Sequence, residues 1–169
     1  MNEENYIKKN LGKWSQKDVP HKGWVCKDIE DFGEPTLLCE MCEAMHIRYV
    51  HYMEHKDYKD TLKVGYVCAG KMEENILHAK KRDDFMKSRA NKRKRWINHR
   101  SWKISRKGNP YIKIDGYIVT MVDHNSYWNA SIRSEDEEIN EWLPRRFDSI
   151  NTAKLAAFDY VTKLLADYS

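Results

Sequence analysis

Apolar and polar positions change rhythm three times along this chain. From Gly23 to Gly70 the pattern is short and strand-like, beginning with Trp24-Val25-Cys26 and a turn-rich Asp31-Phe32-Gly33-Glu34-Pro35. In His46-Ile47-Arg48-Tyr49-Val50-His51-Tyr52-Met53, the residues Ile47, Tyr49, His51 and Met53 share one face of an extended chain. After a charged turn, Leu62-Lys63-Val64-Gly65-Tyr66-Val67-Cys68 reads as a returning strand. From Lys71 to Asn98 the period lengthens: Met72, Ile76, Ala79, Met86, Ala90 and Ile97 recur at three- and four-residue steps, predicting one long helix with a thin apolar stripe.

Alternation returns in the last third. Tyr111-Ile112-Lys113-Ile114 and Tyr117-Ile118-Val119-Thr120-Met121-Val122 flank Asp115-Gly116, a hairpin signal because both turn positions need positive φ. Asp123-His124-Asn125-Ser126 then turns the chain into Tyr127–Arg133, where Trp128, Ala130 and Ile132 alternate with polar residues. An acidic loop from Ser134 to Glu141 precedes Trp142-Leu143-Pro144. A final helix runs from the N-cap Ser149 to Ala166, its apolar face formed by Ala153, Ala156, Ala157, Tyr160, Val161, Leu164 and Leu165. The expected fold is α+β. A β-rich zinc-ribbon-like module with a polar N-terminal arm fills 1–70, a basic linker helix 71–100, and three antiparallel strands packed by one helix 101–169.

The cysteines add chemistry to the first of these parts. Cys26, Cys39, Cys42 and Cys68 are the only four in the chain; twelve residues separate Cys26 from the Cys39-x-x-Cys42 pair, and twenty-five separate Cys42 from Cys68. Four thiolates so spaced suit one structural zinc ion, with Cys42 and Cys68 delivered by two strands to one end of a hairpin. So small a hairpin is marginal alone, which gives the metal an energetic role. His46, His51 and His55 are near enough in sequence to replace one cysteine as ligand. Unligated core thiols, a redox pair at Cys39–Cys42 and disulfides are the alternatives. Met1-Asn2-Glu3-Glu4-Asn5 opens no apolar stretch of secretory type, so the expected compartment is the reducing cytoplasm. No apolar run approaches the roughly 18 residues that cross a membrane.

Charge is segregated. The chain of 169 residues has a net charge of +4. Between Lys80 and Arg100, however, ten basic residues (Lys80, Lys81, Arg82, Lys87, Arg89, Lys92, Arg93, Lys94, Arg95 and Arg100) face only Asp83 and Asp84, so the remainder is net acidic. This points to a polyanionic partner, nucleic acid first and an acidic protein second, although a solvated charged helix shows the same pattern. The tryptophans Trp24, Trp96, Trp102, Trp128 and Trp142 read as core anchors. Trp96, inside Lys92-Arg93-Lys94-Arg95-Trp96, has base stacking as an alternative to packing.

Two partial resemblances concern the last third. Tyr127–Arg133, Arg146-Phe147-Asp148-Ser149 and Ala153–Asp159 resemble the ethylene-response-factor (Apetala-type) DNA-binding domain, with its Trp-x-Ala-x-Ile-Arg strand and Phe-Asp-Thr-x-x-x-Ala helix. The resemblance implies a sheet that enters the major groove and makes Lys113 and Arg133, with Arg106 and Lys107 nearby, DNA contacts. The acidic Glu135–Glu138 departs from such a surface. Ser149, Ala153-Lys154 and Ala156-Ala157 also resemble the last helix of double-stranded-RNA-binding domains, but Ile150 and Asn151 stand where that family has a lysine pair, which ranks RNA below DNA.

Over nearly its full length the chain resembles a bacterial family of small uncharacterised four-cysteine proteins. The likeness is carried by Val19-Pro20-His21-Lys22-Gly23-Trp24, Cys39-Glu40-Met41-Cys42, Ile47–His55, Val67-Cys68-Ala69-Gly70, Gly108-Asn109-Pro110-Tyr111 and Asp115-Gly116. It implies an architecture and no activity.

Catalysis is not expected. Four thiolates would close the coordination sphere to an activated water. Asp123-His124-Asn125 faintly matches a His-metal nuclease but has no downstream histidine at the proper spacing, and no phosphate-binding glycine loop or nucleophile elbow occurs. The expected function is a non-enzymatic, zinc-stabilised nucleic-acid-binding protein, DNA favoured, with no small-molecule substrate. A protein-interaction module acting as regulator or inhibitor is the alternative, and a zinc-dependent nuclease using His51 the weaker one.

Overall fold

The structure is a computed structural model and describes Ile7 and residues 9–166; the opening Met1–Asn5 lies outside the described residues. It contains sheets and helices in one α+β chain, which divides into two compact units, residues up to Ala90 and Asn91–Leu165.

In the first unit β1 (Val25–Asp31) is followed by the two-residue strands β2 (Leu37–Leu38) and β3 (His46–Ile47), which pair with each other. Strands β4 (Tyr49–His55) and β5 (Tyr58–Val64) complete an antiparallel sheet in the order β1-β4-β5. The expected returning strand ends early. Gly65 (φ −77°, ψ 167°) closes β5 and opens the short helix α1 (Tyr66–Met72), so Cys68 lies on a helix and not at the end of a hairpin. Val67, Cys68, Ala69, Gly70 and Met72 are all buried, and an element apolar nearly all round is stable only inside a core. Two apolar residues in alternation could not separate this from a strand in the sequence. The chain breaks at Glu74, whose φ of 61° is left-handed, before helix α2 (Ile76–Trp96) begins. The expected single helix from Lys71 is therefore two. Gly70 permits the tight return, since a Cβ there would stand 2.7 Å from the Ile76 Cα.

A buried polar network ties β4 to α2. His51 has no exposed surface; its Nε2 lies 3.2 Å from Asp83 Oδ1, and Arg82 Nε donates to its Nδ1 at 3.4 Å. Arg82, 5% exposed, donates from Nη2 to both Glu73 oxygens at 2.9 Å. Nδ1 is thus the acceptor, and the neutral ring carries its proton on Nε2 toward Asp83. Burial outweighs the Asp83 hydrogen bond and holds His51 below its ordinary pKa, with Arg82 adding to the depression. Unfolding therefore takes up a proton once the pH falls below about 6.5, the ordinary value for exposed histidine. Stability contributed by His51 is complete above that pH and is lost as the pH drops toward the folded-state value. Urea titrations at pH 7.5 and 5.5 are expected to show this acid loss, with a slope of at most about 1.4 kcal/mol per pH unit from one proton. The His51→Gln variant should show a smaller difference between the two pH values, and an unchanged difference would assign the loss to other groups.

The second unit is one antiparallel sheet of five strands in the order β10-β9-β8-β7-β6: β6 (Lys103–Ile104), β7 (Pro110–Ile114), β8 (Tyr117–Asp123), β9 (Trp128–Ser134) and β10 (Asn140–Trp142). Asp115 and Gly116 have φ of 52° and 82°, the hairpin conformation expected of Asp-Gly. Helix α3 (Ile150–Leu165) packs on β8 and β9, and Ser149 caps it, its Oγ accepting from the Thr152 N–H at 3.2 Å. Ile112, Val119, Met121, Ala130 and Ile132 meet Ala153, Ala157, Phe158 and Val161 in the core. Trp96 joins them, 1% exposed, edge-on to Trp102 and Phe158, with Nε1 donating to the Lys154 carbonyl at 2.7 Å. It packs, and is not presented for stacking. The sheet is wider by two edge strands than the expected three. At two and three residues, β6 and β10 are too short to show a period, and only pairing with β7 and β9 makes them strands.

Candidate metal centre and nucleic-acid interface

Cys39-Glu40-Met41-Cys42 forms a knuckle between β2 and β3. The Cys39 N–H donates to the Met45 carbonyl and the Glu43 N–H to the Cys39 carbonyl, both at 2.8 Å. Glu43 sits at φ 55°, the left-handed turn that swings the following amides back over the loop. The Cys42 N–H then points at the Cys39 sulfur, and those of Ala44 and Met45 at the Cys42 sulfur. Amides aimed at sulfur stabilise the thiolate form that a metal requires. Helix α1 brings Cys68, and the three sulfurs lie within 4.8 Å of one another. They are at most 1% exposed. Their protons are shared: hydrogen bonds from the Cys39 and Cys68 thiols drive Cys42 far below the ordinary thiol range. Cys68 is pushed up by its hydrogen bonds with Cys39 and Cys42, and then by burial. Three soft donors with amide support can hold a metal ion.

The N-terminal arm, polar in sequence, packs against this centre. Gly12 (φ 60°) starts a 3-10 turn, Gly12–Ser15, against the knuckle; a Cβ there would stand 2.6 Å from the Cys42 carbonyl carbon. The Lys13 N–H donates to the Met41 carbonyl at 2.7 Å, and the Trp14 indole N–H donates to the Cys68 sulfur at 3.4 Å.

Cys26 is not among the three clustered sulfurs. It is buried, but its thiol donates to the Asp28 carbonyl at 3.3 Å, at the bulge between Cys26 and Asp28 in the β1–β4 ladder. Burial pushes the thiol up to about 11, opposed by the Arg82 charge and by a backbone hydrogen bond at Asp28. Among the described residues no fourth His, Cys, Asp or Glu atom joins the three sulfurs. His46 is exposed, His51 belongs to the Asp83 network, and His55 packs on Trp24 with ring centroids 5.3 Å apart.

The basic residues divide by environment. Arg82 and Arg89 are buried, 5% and 4% exposed, so neither lies on a surface that phosphates could reach. Helical periodicity turns them inward, a fact that a charge count along the sequence does not carry. Lys80 pairs with Asp84 (2.8 Å), Lys87 with Asp83 (3.1 Å), Lys92 with Asp115 (3.7 Å), and Arg93 with both Asp159 oxygens (2.7 and 2.9 Å). Lys81, Lys94, Arg95 and Arg100 are exposed.

In the second unit Lys113, Arg133, Arg106 and Lys107 are all exposed. The ladder registers place Lys113 beside Ile118 and Ile118 beside Arg133, so both basic residues stand on the sheet face opposite α3. The same registers add Lys103, Tyr111 and Trp142, which sequence reasoning missed. Trp142 is 54% exposed and is not the core anchor expected; Leu143 beside it, 7% exposed, takes the inward position. The alternation Glu141-Trp142-Leu143 was the available signal, and three residues are too few to fix its phase.

No protein-family model, curated protein or solved structure matches this chain. Among the described residues no helix is long and apolar enough to cross a membrane.

Proposed function

We propose that the protein is a zinc-stabilised nucleic-acid-binding protein that acts by binding, with DNA as its favoured partner. The observation carrying this reading is the uncovered sheet face in the unit Asn91–Leu165, where Lys103, Lys113 and Arg133 are exposed together. The unit as a whole has fourteen Lys and Arg against nine Asp and Glu. Helix α2 contributes less than its composition promises, because its acidic neighbours and the core already hold more than half of its cations. Its share falls to Lys81, Lys94 and Arg95.

Zinc is the metal the donor set fits. Two sulfurs on one tetrahedral zinc stand about 3.8 Å apart for Zn–S bonds of about 2.3 Å, so sulfurs within 4.8 Å need only a small contraction. The ligands on this reading are Cys39, Cys42 and Cys68. The ion would supply folding free energy to residues that otherwise bury three thiols beside a small sheet. With three thiolates in place of four, turnover is opposed by the burial of all three sulfurs and by the Trp14 indole that covers Cys68.

Titration of DNA binding against salt tests the reading. Affinity should fall steeply as salt rises, and the Lys113→Ala/Arg133→Ala variant should reduce the magnitude of the log–log slope by about two, one for each phosphate no longer neutralised. Absence of affinity for any nucleic acid at low salt, with a nuclease-insensitive pull-down of an acidic protein, would replace this reading with the protein-interaction one.

A further inference from the structure

The sheet face opposite α3 is organised in rows. One runs Lys103–Tyr111–Thr120–Ser131–Trp142 across all five strands, each residue directly opposite the next in the ladder. A second runs Lys113–Ile118–Arg133–Asn140, and Val122 lies beside Asn129 beyond the first. None of these side chains is buried. We propose that this face binds single-stranded, thymine-rich DNA, which deepens the nucleic-acid reading above and rests on it.

Width decides against the major groove. Strands lie about 4.8 Å apart, so three strands span about 10 Å and five about 19 Å. The major groove is about 12 Å wide. The edge strands β6 and β10 therefore make the sheet too broad to enter it edge to edge. A strand with unpaired bases has no such limit and can lie across the face.

The side chains suit unpaired bases. Trp142 presents an exposed indole at one edge, and Tyr111 is half-buried in the same row, so two bases can stack on one track. Ile118 and Val122 flank that track with branched methyl groups, the surface that gains from the thymine methyl and gains nothing from uracil. Charge orients the backbone. The acidic loop Glu135–Glu138 lies at the Asp115–Gly116 end, where the Glu135 N–H donates to the Gly116 carbonyl at 2.9 Å. The opposite end of the strands carries Arg106 and Lys107 in the β6–β7 turn, and Arg145 and Arg146 beside Phe147, which bridges to Trp128. Lys113 and Arg133 hold phosphates on one side of the aromatic row and the cations at this far end hold them on the other, while the acidic loop bounds the site beyond Lys113 and Arg133.

Fluorescence anisotropy with labelled oligothymidylate, oligouridylate and a duplex of equal length, using the full chain, tests this. Oligothymidylate is expected to bind most tightly. Trp142→Ala should weaken it about 5- to 150-fold, the range for loss of one stacked base, while Trp142→Phe retains most of the binding. A melting curve for each variant separates loss of stacking from loss of fold. Duplex binding at least as tight, or a neutral Trp142→Ala, overturns the single-strand proposal and leaves the nucleic-acid function standing. Equal affinity for oligouridylate overturns the thymine preference. Binding to none of the three overturns both readings together.

Discussion

With zinc at the proposed three-sulfur site, the Cys39→Ser variant is expected to lose the ion and to unfold the unit up to Ala90, whereas Cys26→Ser should keep it. Cys39 is one of the three clustered sulfurs, and its backbone also closes the knuckle at both ends. Apparent zinc-binding free energies in small folded sites are about 10–16 kcal/mol at neutral pH. Whole domains are stable by only about 5–15 kcal/mol, so losing the ion exceeds what the sheet β1-β4-β5 can absorb. Cys26→Ser instead places a hydroxyl where the thiol already donates to Asp28. Its cost should be that of a buried polar exchange, about 1–3 kcal/mol. Elemental analysis should give one zinc per chain for the parent and for Cys26→Ser, and none for Cys39→Ser. Equal loss of metal in both variants would restore the four-cysteine site. A chelated, metal-free preparation that melts like the parent would remove the structural role altogether. Acid should act as a chelator does, since protons compete with zinc for the sulfurs.

The second large effect belongs to Arg82. Its pair with Glu73 is almost wholly out of water, the side chains being 4% and 10% exposed. Arg82→Leu leaves the Glu73 carboxylate facing apolar surroundings and removes a donor from His51, and the expected cost is about 3–5 kcal/mol. The Arg82→Leu/Glu73→Leu double variant should recover much of that loss, because the expensive element is the unpaired buried charge and not the missing attraction. Chemical denaturation of the three variants measures the cycle. A double variant no more stable than Arg82→Leu alone would mean that the arginine acts mainly through His51 and His78, the latter 3.2 Å from its guanidinium. This variant also bears on function. Arg82 counts toward the basic helix in sequence, yet its loss should leave the salt dependence of DNA binding unchanged in any protein that remains folded.

The parts of the fold that the sequence carried are those with long, clean periods. The Asp115–Gly116 hairpin, the strands on either side of it and the Ser149-capped final helix occur where alternation and caps place them. Regions of few residues or mixed pattern were not legible. Leu62–Cys68 contains enough β-branched and aromatic residues to read as one strand, but the chain changes to helix at Gly65. The two-residue β6 and three-residue β10 have no period of their own and exist because an adjacent strand offers unpaired N–H and C=O groups. At the candidate metal centre, the Cys39-x-x-Cys42 spacing announced the knuckle. Nothing in the spacing of Cys26 distinguished a ligand from a buried thiol, and nothing in Gly12-Lys13-Trp14 announced a cover for Cys68.

The sequence by itself determined local matters: turn chemistry, helix caps, the C-x-x-C knuckle and a chain rich in cations between Lys80 and Arg100. These depend on residues within a few positions of one another, where backbone geometry leaves few choices. Only the tertiary structure decided which three sulfurs meet, that Trp14 returns to one of them, and that Arg82 and Arg89 turn inward. It also decided that Trp142 faces outward in a row with Tyr111 and Lys103. Each of these is a choice of face or partner between segments far apart in the chain. Such choices are set by the packing of whole elements, since a one-residue change in register reverses which side chains are buried and which are offered to a ligand.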